Sequence, residues 1–264
     1  MHWVVQSNIF HEENYEHLLS TLDRLSLSYS THKVVPFVGT IDPEPTLPDG
    51  TDVIVMGSYA LARYAQRRGW RPGAFVDNLE FELQREHWGE RMLNADATVV
   101  PFAAIPFQRE PFVLRPVLDT KSFTGMVIDW GEYESWRDRI LALETAGEDS
   151  AGLGLGSRDA TMLCTLKEIW SETRTWIVDG EVVTCSGYKL GRRTRYAPPE
   201  LVDPAIVAFA REAAQHWSPN RAYVLDVAET PDGMRIVEVN NLNSAGWYRC
   251  DMQRLVIALE GMTY

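Results

Sequence analysis

Hydrophobic and polar residues follow strand-like and helix-like periods in turn along the first third of the chain. Residues 2–7 (HWVVQS) and the continuous apolar run at 51–58 (TDVIVMGS) predict strands, the second of the kind that parallel sheets bury. Apolar positions at helical spacing in residues 12–25 and 59–69 predict helices, the second closed by Gly69. This order of elements predicts a small α/β unit.

The rest of the chain mixes strands with two clear helices. Residues 112–118 (FVLRPVL) predict a strand, and residues 132–147 and 203–217 predict helices from their apolar spacing. An Asp-Gly pair at 179–180 is a hairpin signal inside a strand-rich segment, and residues 222–240 predict a second hairpin. The pattern as a whole predicts a mixed α/β (α+β) chain.

The second strand of that last hairpin carries an unusual set of polar residues. It ends in IVEVNNLN, which begins at Ile236. The period of two in a strand places Val237 and Val239 on one face. It places Glu238 and Asn240 on the other face, together with Ile236. That second face is too polar for a core, so it is either solvated or a ligand site.

The register of the hairpin brings a third polar residue to the same place. A three-residue turn ending at Gly233, in the left-handed conformation of a bulge, would pair Thr230 with Met234. Continued along the ladder, this pairing places Asp226 directly opposite Glu238. The side chains of such a cross-strand pair begin about 5 Å apart.

Asp226, Glu238 and Asn240 would then converge on one spot. Three oxygen donors, two of them anionic and none from Cys or His, suit a hard cation such as Mg²⁺. Mg²⁺ in proteins usually keeps positions open for substrate phosphates, which implies a nucleotide. The pattern alone leaves one alternative open, a polar hairpin that simply faces solvent.

Two further segments carry cations where a phosphate could bind. Arg115 lies near the end of a predicted strand, and Lys121 follows in a loop of small and polar residues that ends at Gly125. Backbone N–H groups in such a loop can bind a phosphate, with the cations adding charge. Glu172 and Arg174 share one face of another predicted strand, which indicates either a lined cleft or a solvated sheet face.

Composition and charge narrow the class of protein. With 25 Lys and Arg against 37 Asp and Glu, the formal charge is −12, which argues against a general nucleic-acid partner. The three cysteines (Cys164, Cys185 and Cys250) form no CxxC motif, so we expect reduced thiols and no structural zinc. No basic leader and no run long enough to span a membrane is evident, so we expect a cytosolic protein.

Three other stretches leave alternatives open. The basic segment GRRTR at 191–195 is either a solvated turn or a mobile loop that closes over phosphates or an acidic substrate. GLGLGS at 152–157 follows an acidic loop and not a strand, so we interpret it as a linker. Trp247 and Tyr248, just past the polar strand, are candidates for lining an acceptor site.

These residues together resemble the ATP-grasp superfamily, and more closely the clade named for two arginines and one lysine. Arg115-Pro116 stands where ATP-grasp enzymes usually have Lys-Pro, and DTKSFTG at 119–125 resembles their loop over the phosphates. LKEIWSETR at 166–174 resembles their interdomain hinge. VLDV and IVEVN resemble the metal motif. The chain departs from the superfamily in its lysines. Arg115 replaces the strand lysine, and the more N-terminal lysine has no clear match, with Arg91 as a candidate.

The resemblance implies an N-terminal α/β domain over residues 1–92 and an ATP-grasp catalytic domain of two α+β subdomains over residues 93–264. It implies an ATP- and Mg²⁺-dependent carboxylate–amine ligase that works through an acylphosphate on an amino acid, a peptide or a protein terminus. A small-molecule phosphotransferase and a non-catalytic nucleotide-binding module are the alternatives. The expected partners are the carboxylate and amine substrates, with no nucleic acid and no membrane.

The resemblance also assigns roles to individual residues. The metal ligands would be Asp226, Glu238 and Asn240. The catalytic residues would be Arg115, Lys121 and Arg174, with Arg174 steadying the γ-phosphate or the substrate carboxylate. The nucleotide-binding residues would be Arg115, Lys121, Lys167, Glu168, Trp170 and Glu172.

Overall fold

The structure is a computed structural model that describes residues 1–9, 15–35, 39–117, 125–147 and 155–263. Its contacts divide the chain into two compact units. Unit 1 is Met1–Leu79 with Ile169–Tyr264, and unit 2 is Glu80–Glu168. The predicted domains, residues 1–92 and 93–264, were drawn from the family resemblance and not from contacts within the chain. They stay a prediction.

Unit 1 begins with a five-stranded sheet in the order β3-β2-β1-β4-β5. Its strands are β1 (His2–Gln6), β2 (Ser28–Val35), β3 (Thr40–Asp42), β4 (Val53–Met56) and β5 (Pro72–Gly73), and its helices are α1 (Tyr15–Arg24) and α2 (Tyr59–Arg68). All neighbours are parallel except β2 and β3. β4 is buried throughout, and Gly69 ends α2 with a φ of 65°. The predicted α/β unit is therefore confirmed.

Unit 2 is built on a four-stranded antiparallel sheet in the order β6-β9-β7-β8. Its elements are α3 (Phe81–Trp88), β6 (Thr98–Pro101), β7 (Phe112–Pro116), β8 (Met126–Ile128), α4 (Trp130–Thr145) and β9 (Ala160–Thr165), with short 3₁₀ helices at Gly89–Arg91 and Phe102–Ala104. Helix α4 begins two residues before the predicted start, because Asp129 and Glu132 form a reciprocal capping box. Its buried face packs on the sheet through Tyr133 and Ile140.

Unit 1 also contains a second, antiparallel sheet in the order β12-β11-β10-β13-β14. The elements of this part are β10 (Ser171–Val178), β11 (Glu181–Leu190), β12 (Arg193–Ala197), α5 (Pro204–His216), β13 (Ala222–Thr230), β14 (Gly233–Asn241) and α6 (Met252–Glu260), with 3₁₀ helices at Pro199–Leu201 and Leu242–Ser244. Asp203 caps α5 and Pro204 opens it, as predicted.

One face of this second sheet is charged at one end of its strands and apolar at the other. On β10 the alternate residues Glu172, Arg174, Trp176 and Val178 read from charged to apolar. Trp176 and Val178 belong to a core that also contains Trp3 and other residues of the first sheet. The core thus fills the apolar end of the face and leaves the charged end for the candidate site.

The structure corrects one interpretation of the basic segment at 191–195. Gly191 and Arg192 form a turn, but Arg193–Ala197 is strand β12 at the edge of the second sheet, with Leu190 pairing with Arg193. The segment is therefore half a hairpin turn and half an edge strand, and not a loop throughout. Among the helices of the described ranges, none is both long enough and apolar enough to cross a membrane.

Candidate functional site

The hairpin of β13 and β14 pairs Asp226 with Glu238, as the sequence predicts. The route to that register differs from the prediction. Thr230 pairs with Gly233 and not with Met234, so the turn contains only Pro231 and Asp232. The pairing regains its predicted register further along the hairpin.

A β-bulge at Val237 corrects the register. Val227 pairs with Ile236, and the next pair along the ladder is Asp226 with Glu238, so Val237 has no partner across the ladder. Because directly paired residues share a face of the sheet, Ile236 lies with the fully buried Val227 and not with Glu238. The predicted grouping of Ile236 with the polar residues is wrong for this reason.

The three predicted metal ligands do meet. The Asn240 amide nitrogen lies 3.0 Å from Glu238 Oε1 and 3.4 Å from Asp226 Oδ2. Asp226 is 1% exposed, whereas Glu238 and Asn240 are half-buried. One carboxylate is therefore fixed inside the sheet, and two donors stand at the boundary with solvent.

Arg174 is the main partner of the buried carboxylate. It faces Asp226 across the ladder of β10 and β13. Its Nε and Nη2 donate to the two Asp226 oxygens over 2.9 Å and 2.8 Å, and its Nη1 donates to the Gly246 carbonyl over 3.2 Å. Only 8% of the Arg174 side chain is exposed. A bidentate, charge-assisted pair of this kind fixes the orientation of the carboxylate plane.

Burial and neighbouring charges shift the pKa values of both members of the pair. The pKa of Asp226 is raised to about 6, because desolvation and the charges of Glu238 and Glu172 together outweigh the opposing effect of Arg174. Burial alone would lower the pKa of Arg174, but the charge of Asp226 raises it overall. At neutral pH both groups are therefore ionised, and Arg174 is the cation that makes the buried Asp226 charge tolerable.

A second ionic group lies beside the first on the same sheet. Glu172 is 5% exposed, accepts a hydrogen bond from the Tyr188 hydroxyl and forms an ion pair with Lys189. The predicted contact of Glu172 with a nucleotide stays a prediction. In the structure its carboxylate is held by two residues of β11.

Three tyrosines form a stacked column against which the Arg174 guanidinium packs. Tyr248 stacks on Tyr188 with ring centroids 5.3 Å apart and on Tyr196 at 5.1 Å. The Arg174 guanidinium lies 4.7 Å from the centre of the Tyr248 ring and 5.7 Å from that of Tyr188. These are cation–π distances. The guanidinium that binds Asp226 is therefore also held in place by the tyrosine rings.

Sequence reasoning found only one member of this column. It singled out Tyr248 with Trp247, but Trp247 is 3% exposed and packs in the core. Tyr248 has a φ of +46°, a backbone conformation that bulky residues rarely adopt. Tyr188 and Tyr196 lie on β11 and β12, and no local pattern marks them, because the column forms only when the strands pair.

Unit 2 carries the predicted phosphate-binding arginine. Arg115 lies on β7 and pairs with Met162 of β9. A Cβ atom added at Gly125 would lie 3.2 Å from Arg115 Cβ. The absence of a side chain at Gly125 therefore lets its backbone lie close beside Arg115. Lys121 lies outside the described residues. Of the predicted phosphate loop at 119–125, only Gly125 lies within the described residues.

The predicted hinge residues flank the boundary between the units, which falls after Glu168. Lys167 forms an ion pair with Asp96 over 2.6 Å. Burial raises the pKa of Asp96, but hydrogen bonds from Lys167 and Thr165 outweigh it and lower the pKa overall. Glu168 is exposed, and Trp170 is 52% exposed. Lys167 therefore has a structural partner, and the nucleotide contacts of these residues stay predictions.

Arg91, the sequence candidate for the missing lysine, has a notable environment. Its Nη1 is buried and makes no hydrogen bond to any residue in the described ranges. Buried charged donors normally have an acceptor, so an orphaned guanidinium nitrogen is compatible with an anionic ligand.

The donor set around Asp226 fits a magnesium ion. No three His, Cys, Asp or Glu side chains in the described part of the chain are placed to hold a metal. A third ligand beside Asp226 and Glu238 would therefore come from the Asn240 amide. Half a turn of that amide would direct its oxygen to where its nitrogen now meets Asp226 and Glu238. Oxygen donors alone, few in number and half open to solvent, match a cation that keeps its own waters.

Comparison with solved structures shows the same fold in known ligases. The chain superposes with a TM-score of 0.60 on a RimK domain ATP-grasp protein from Sphaerobacter thermophilus, at 16% identity over 92% of each chain. The ATP complex of D-alanine–D-alanine ligase from Bacillus anthracis gives 0.59 at 12% identity, over 98% of this chain and 96% of that one.

The ATP-grasp ligase PsnB, complexed with a minimal precursor, gives a TM-score of 0.56 at 13% identity, over 98% of this chain and 97% of that one. No curated protein matches the sequence. The sequence signature of family 3 in the ATP-grasp clade named for two arginines and one lysine matches residues 30–259. Because this match spans most of the chain and the fold agrees with it, the protein belongs to family 3 of that clade of ATP-grasp domains.

Proposed function

We propose that the protein is a cytosolic, ATP- and Mg²⁺-dependent carboxylate–amine ligase. It would activate a carboxylate as an acylphosphate and join it to an amine of an amino acid, a peptide or a protein terminus. The observation that carries the proposal is the convergence of Asp226, Glu238 and Asn240 on one spot of the sheet. The ligase fold of the solved relatives supports the class of reaction.

The three converging residues would hold the magnesium ion. When bound, that ion neutralises phosphate charge and orients the γ-phosphate for attack. Asp226 is the fixed member of the set, because Arg174 engages both of its oxygens. Glu238 and Asn240 are less buried and can adjust as the nucleotide binds.

Arg174 would act mainly by holding Asp226. Three of its nitrogens already donate to Asp226 and to the Gly246 carbonyl. A guanidinium has five N–H groups, so this role leaves donors that could also reach a substrate oxygen. The proposed role at the γ-phosphate or the substrate carboxylate is therefore compatible with the ion pair.

Arg115 and Lys121 would bind the phosphates. A guanidinium binds a phosphate through two parallel hydrogen bonds, so Arg115 can take the place of the lysine usual in the superfamily. The substrate carboxylate would attack the γ-phosphorus, which releases ADP and forms the acylphosphate. The amine would then attack the acyl carbon and displace phosphate, which forms the amide. Positioning and charge neutralisation would supply most of the rate.

Replacing Arg115 tests the phosphate site. Arg115→Ala should weaken ATP binding about tenfold or more, because hydrogen bonds to charged groups each contribute more than neutral ones. Calorimetric titration with Mg²⁺ and a non-hydrolysable ATP analogue would measure it. Arg109→Ala, which removes an exposed arginine of the same unit, is the matched control. An affinity equal to that of the unchanged protein would remove Arg115 from the phosphate site.

The function itself is tested by product analysis. The protein is incubated with ATP, Mg²⁺ and pools of amino acids, short peptides and cell extract, and ADP, AMP and phosphate are resolved. The proposal expects ADP and phosphate that depend on the pool, with a new amide in the mass spectrum. AMP would indicate adenylation, and a stable phosphorylated product would indicate a phosphotransferase. ATP binding without turnover in every pool would indicate a binding module.

A further inference from the structure

Strand β12 (Arg193–Ala197) has the properties of a docking strand. It is the last strand on its side of the second sheet of unit 1. One edge of β12 pairs with β11, and no backbone hydrogen bond to its other edge occurs among the described residues. An edge of this kind offers a row of N–H and C=O groups to another extended chain.

The strand is also strongly basic in an acidic protein. Arg192, Arg193 and Arg195 are exposed, and within the described ranges their guanidinium groups have no ion-pair or hydrogen-bond partner. Arg249 is exposed as well and lies beside the end of β12, since its backbone N–H donates to Ser186 Oγ, which donates to the Ala197 carbonyl. These four arginines concentrate positive charge in a chain whose formal charge is −12.

The basic edge is continuous with the candidate site inside the same unit. Tyr196 of β12 stacks on Tyr248, and Tyr248 lies under the Arg174 guanidinium. Arg174 in turn holds Asp226. The tyrosine column and Arg174 would therefore connect a chain bound along β12 to the predicted metal ligands.

We propose that β12 binds an acidic, extended segment of a polypeptide substrate as an added strand. Main-chain hydrogen bonds to the open edge would hold the segment, and its Asp and Glu side chains would pair with the arginines. A phosphate or a nucleic acid would satisfy the charges, but it offers no peptide groups to the edge. The inference rests on the proposed function, because the segment belongs to the molecule that the ligase modifies.

Binding of a defined peptide tests this. A fluorescein-labelled peptide of alternating Glu and Thr is titrated with the full chain in the absence of nucleotide, with anisotropy as readout. Arg193→Glu with Arg195→Glu should weaken binding about tenfold or more, because like charges replace attractive ones. Arg24→Glu with Arg63→Glu changes the net charge equally at two other exposed arginines of unit 1 and should alter the affinity less than about twofold.

Two probes applied to the unchanged protein separate strand addition from charge alone. The same peptide, N-methylated at alternate residues, keeps its carboxylates but loses N–H groups, and should bind much more weakly. Equal binding of the methylated peptide would overturn the proposal. So would equally tight binding of an oligothymidylate of the same length, or an equal loss in the control variant.

The outcome is distinguishable from that of the ligase proposal. Peptide binding without ATP turnover in any pool would support the docking strand and contradict the ligase. Turnover with free amino acids, without any binding of the acidic peptide, would support the ligase and contradict the docking strand.

Discussion

Glu238→Gln should abolish Mg²⁺-dependent ATP turnover and leave the fold intact. The change removes one anionic oxygen from the predicted metal site but keeps the size of the side chain. Even groups that only support metal ligands cost about tenfold to a hundredfold when lost, so we expect a loss of at least about a hundredfold. Steady-state release of ADP over a range of Mg²⁺ concentrations would measure it.

The same change should not reduce the stability of the fold. The charge of Glu238 is one of the causes that raise the pKa of Asp226, so the two carboxylates repel each other when no metal ion is bound between them. Removing that charge should leave the free energy of unfolding unchanged or increase it slightly. An activity that falls while stability holds is expected of a residue kept for function and not for packing.

A control on the same hairpin separates the site from general damage. Glu229 is also half-buried and accepts a hydrogen bond from Ser171, which glutamine can accept as well. Glu229→Gln should therefore retain turnover. A Glu238→Gln protein that unfolds, or that folds and turns over ATP normally, would show that the metal role is wrong.

The pairing of Asp226 with Glu238 was predictable because hairpin rules and the side-chain period act over a few residues. The detailed path was not. The turn is one residue shorter than predicted, and the bulge at Val237 restores the register further along. Two local errors compensated, because a bulge is decided by packing on both faces and not by the residues that form it.

Contacts between residues far apart in the chain could not be predicted from the sequence pattern. Arg174 and Asp226 are 52 residues apart, and their pairing depends on β13 adding to β10 and not to another strand. Glu172 and Arg174 on one face left a cleft and a solvated face equally open. The structure shows that both are largely buried and held by partners.

The basic segment at 191–195 shows a different limit. Glycine and several arginines in a row are typical of a solvated turn, and Gly191 does form one with a φ of 54°. Arg192 completes the turn, and the last three residues of the segment, 193–195, continue as a strand because β11 offers a partner edge. Tertiary pairing thus overrides local preference at the place where the candidate docking edge forms.

Arg174→Ala should be the most destabilising single change at the site. It would leave Asp226, which is 1% exposed, as a buried charge without its cation. Removing one partner of a buried pair typically costs about 3–5 kcal/mol. Chemical denaturation followed by circular dichroism would measure the loss, and ATP turnover should fall as well because Asp226 loses its orientation.

The chain provides a matched control in Arg221. Its guanidinium also binds a carboxylate through two nitrogens, with both distances to Asp179 at 2.7 Å, but 44% of its side chain is exposed. Solvent screens such a pair, so we expect that Arg221→Ala costs no more than about 1 kcal/mol. Equal losses at Arg174 and Arg221 would show that burial does not control the energy of the pair.

The pH dependence identifies the group responsible. The pKa of Asp226 is already raised from 3.8 to about 6, and the loss of Arg174, which opposes that shift, should raise it further. A carboxyl with a raised pKa in the fold destabilises it while ionised, and the cost disappears as the pH falls through that pKa. The stability deficit of Arg174→Ala should therefore shrink as the pH falls below neutrality.

Adding Asp226→Asn to Arg174→Ala should recover part of the stability at neutral pH, because the buried group then carries no charge. It should also remove the pH dependence of the deficit. A deficit that is constant with pH and unchanged by Asp226→Asn would mean that Arg174 stabilises the sheet through its packing against the Tyr248 ring and not through the ion pair. In that case Arg174 would no longer be assigned to orienting the metal ligand.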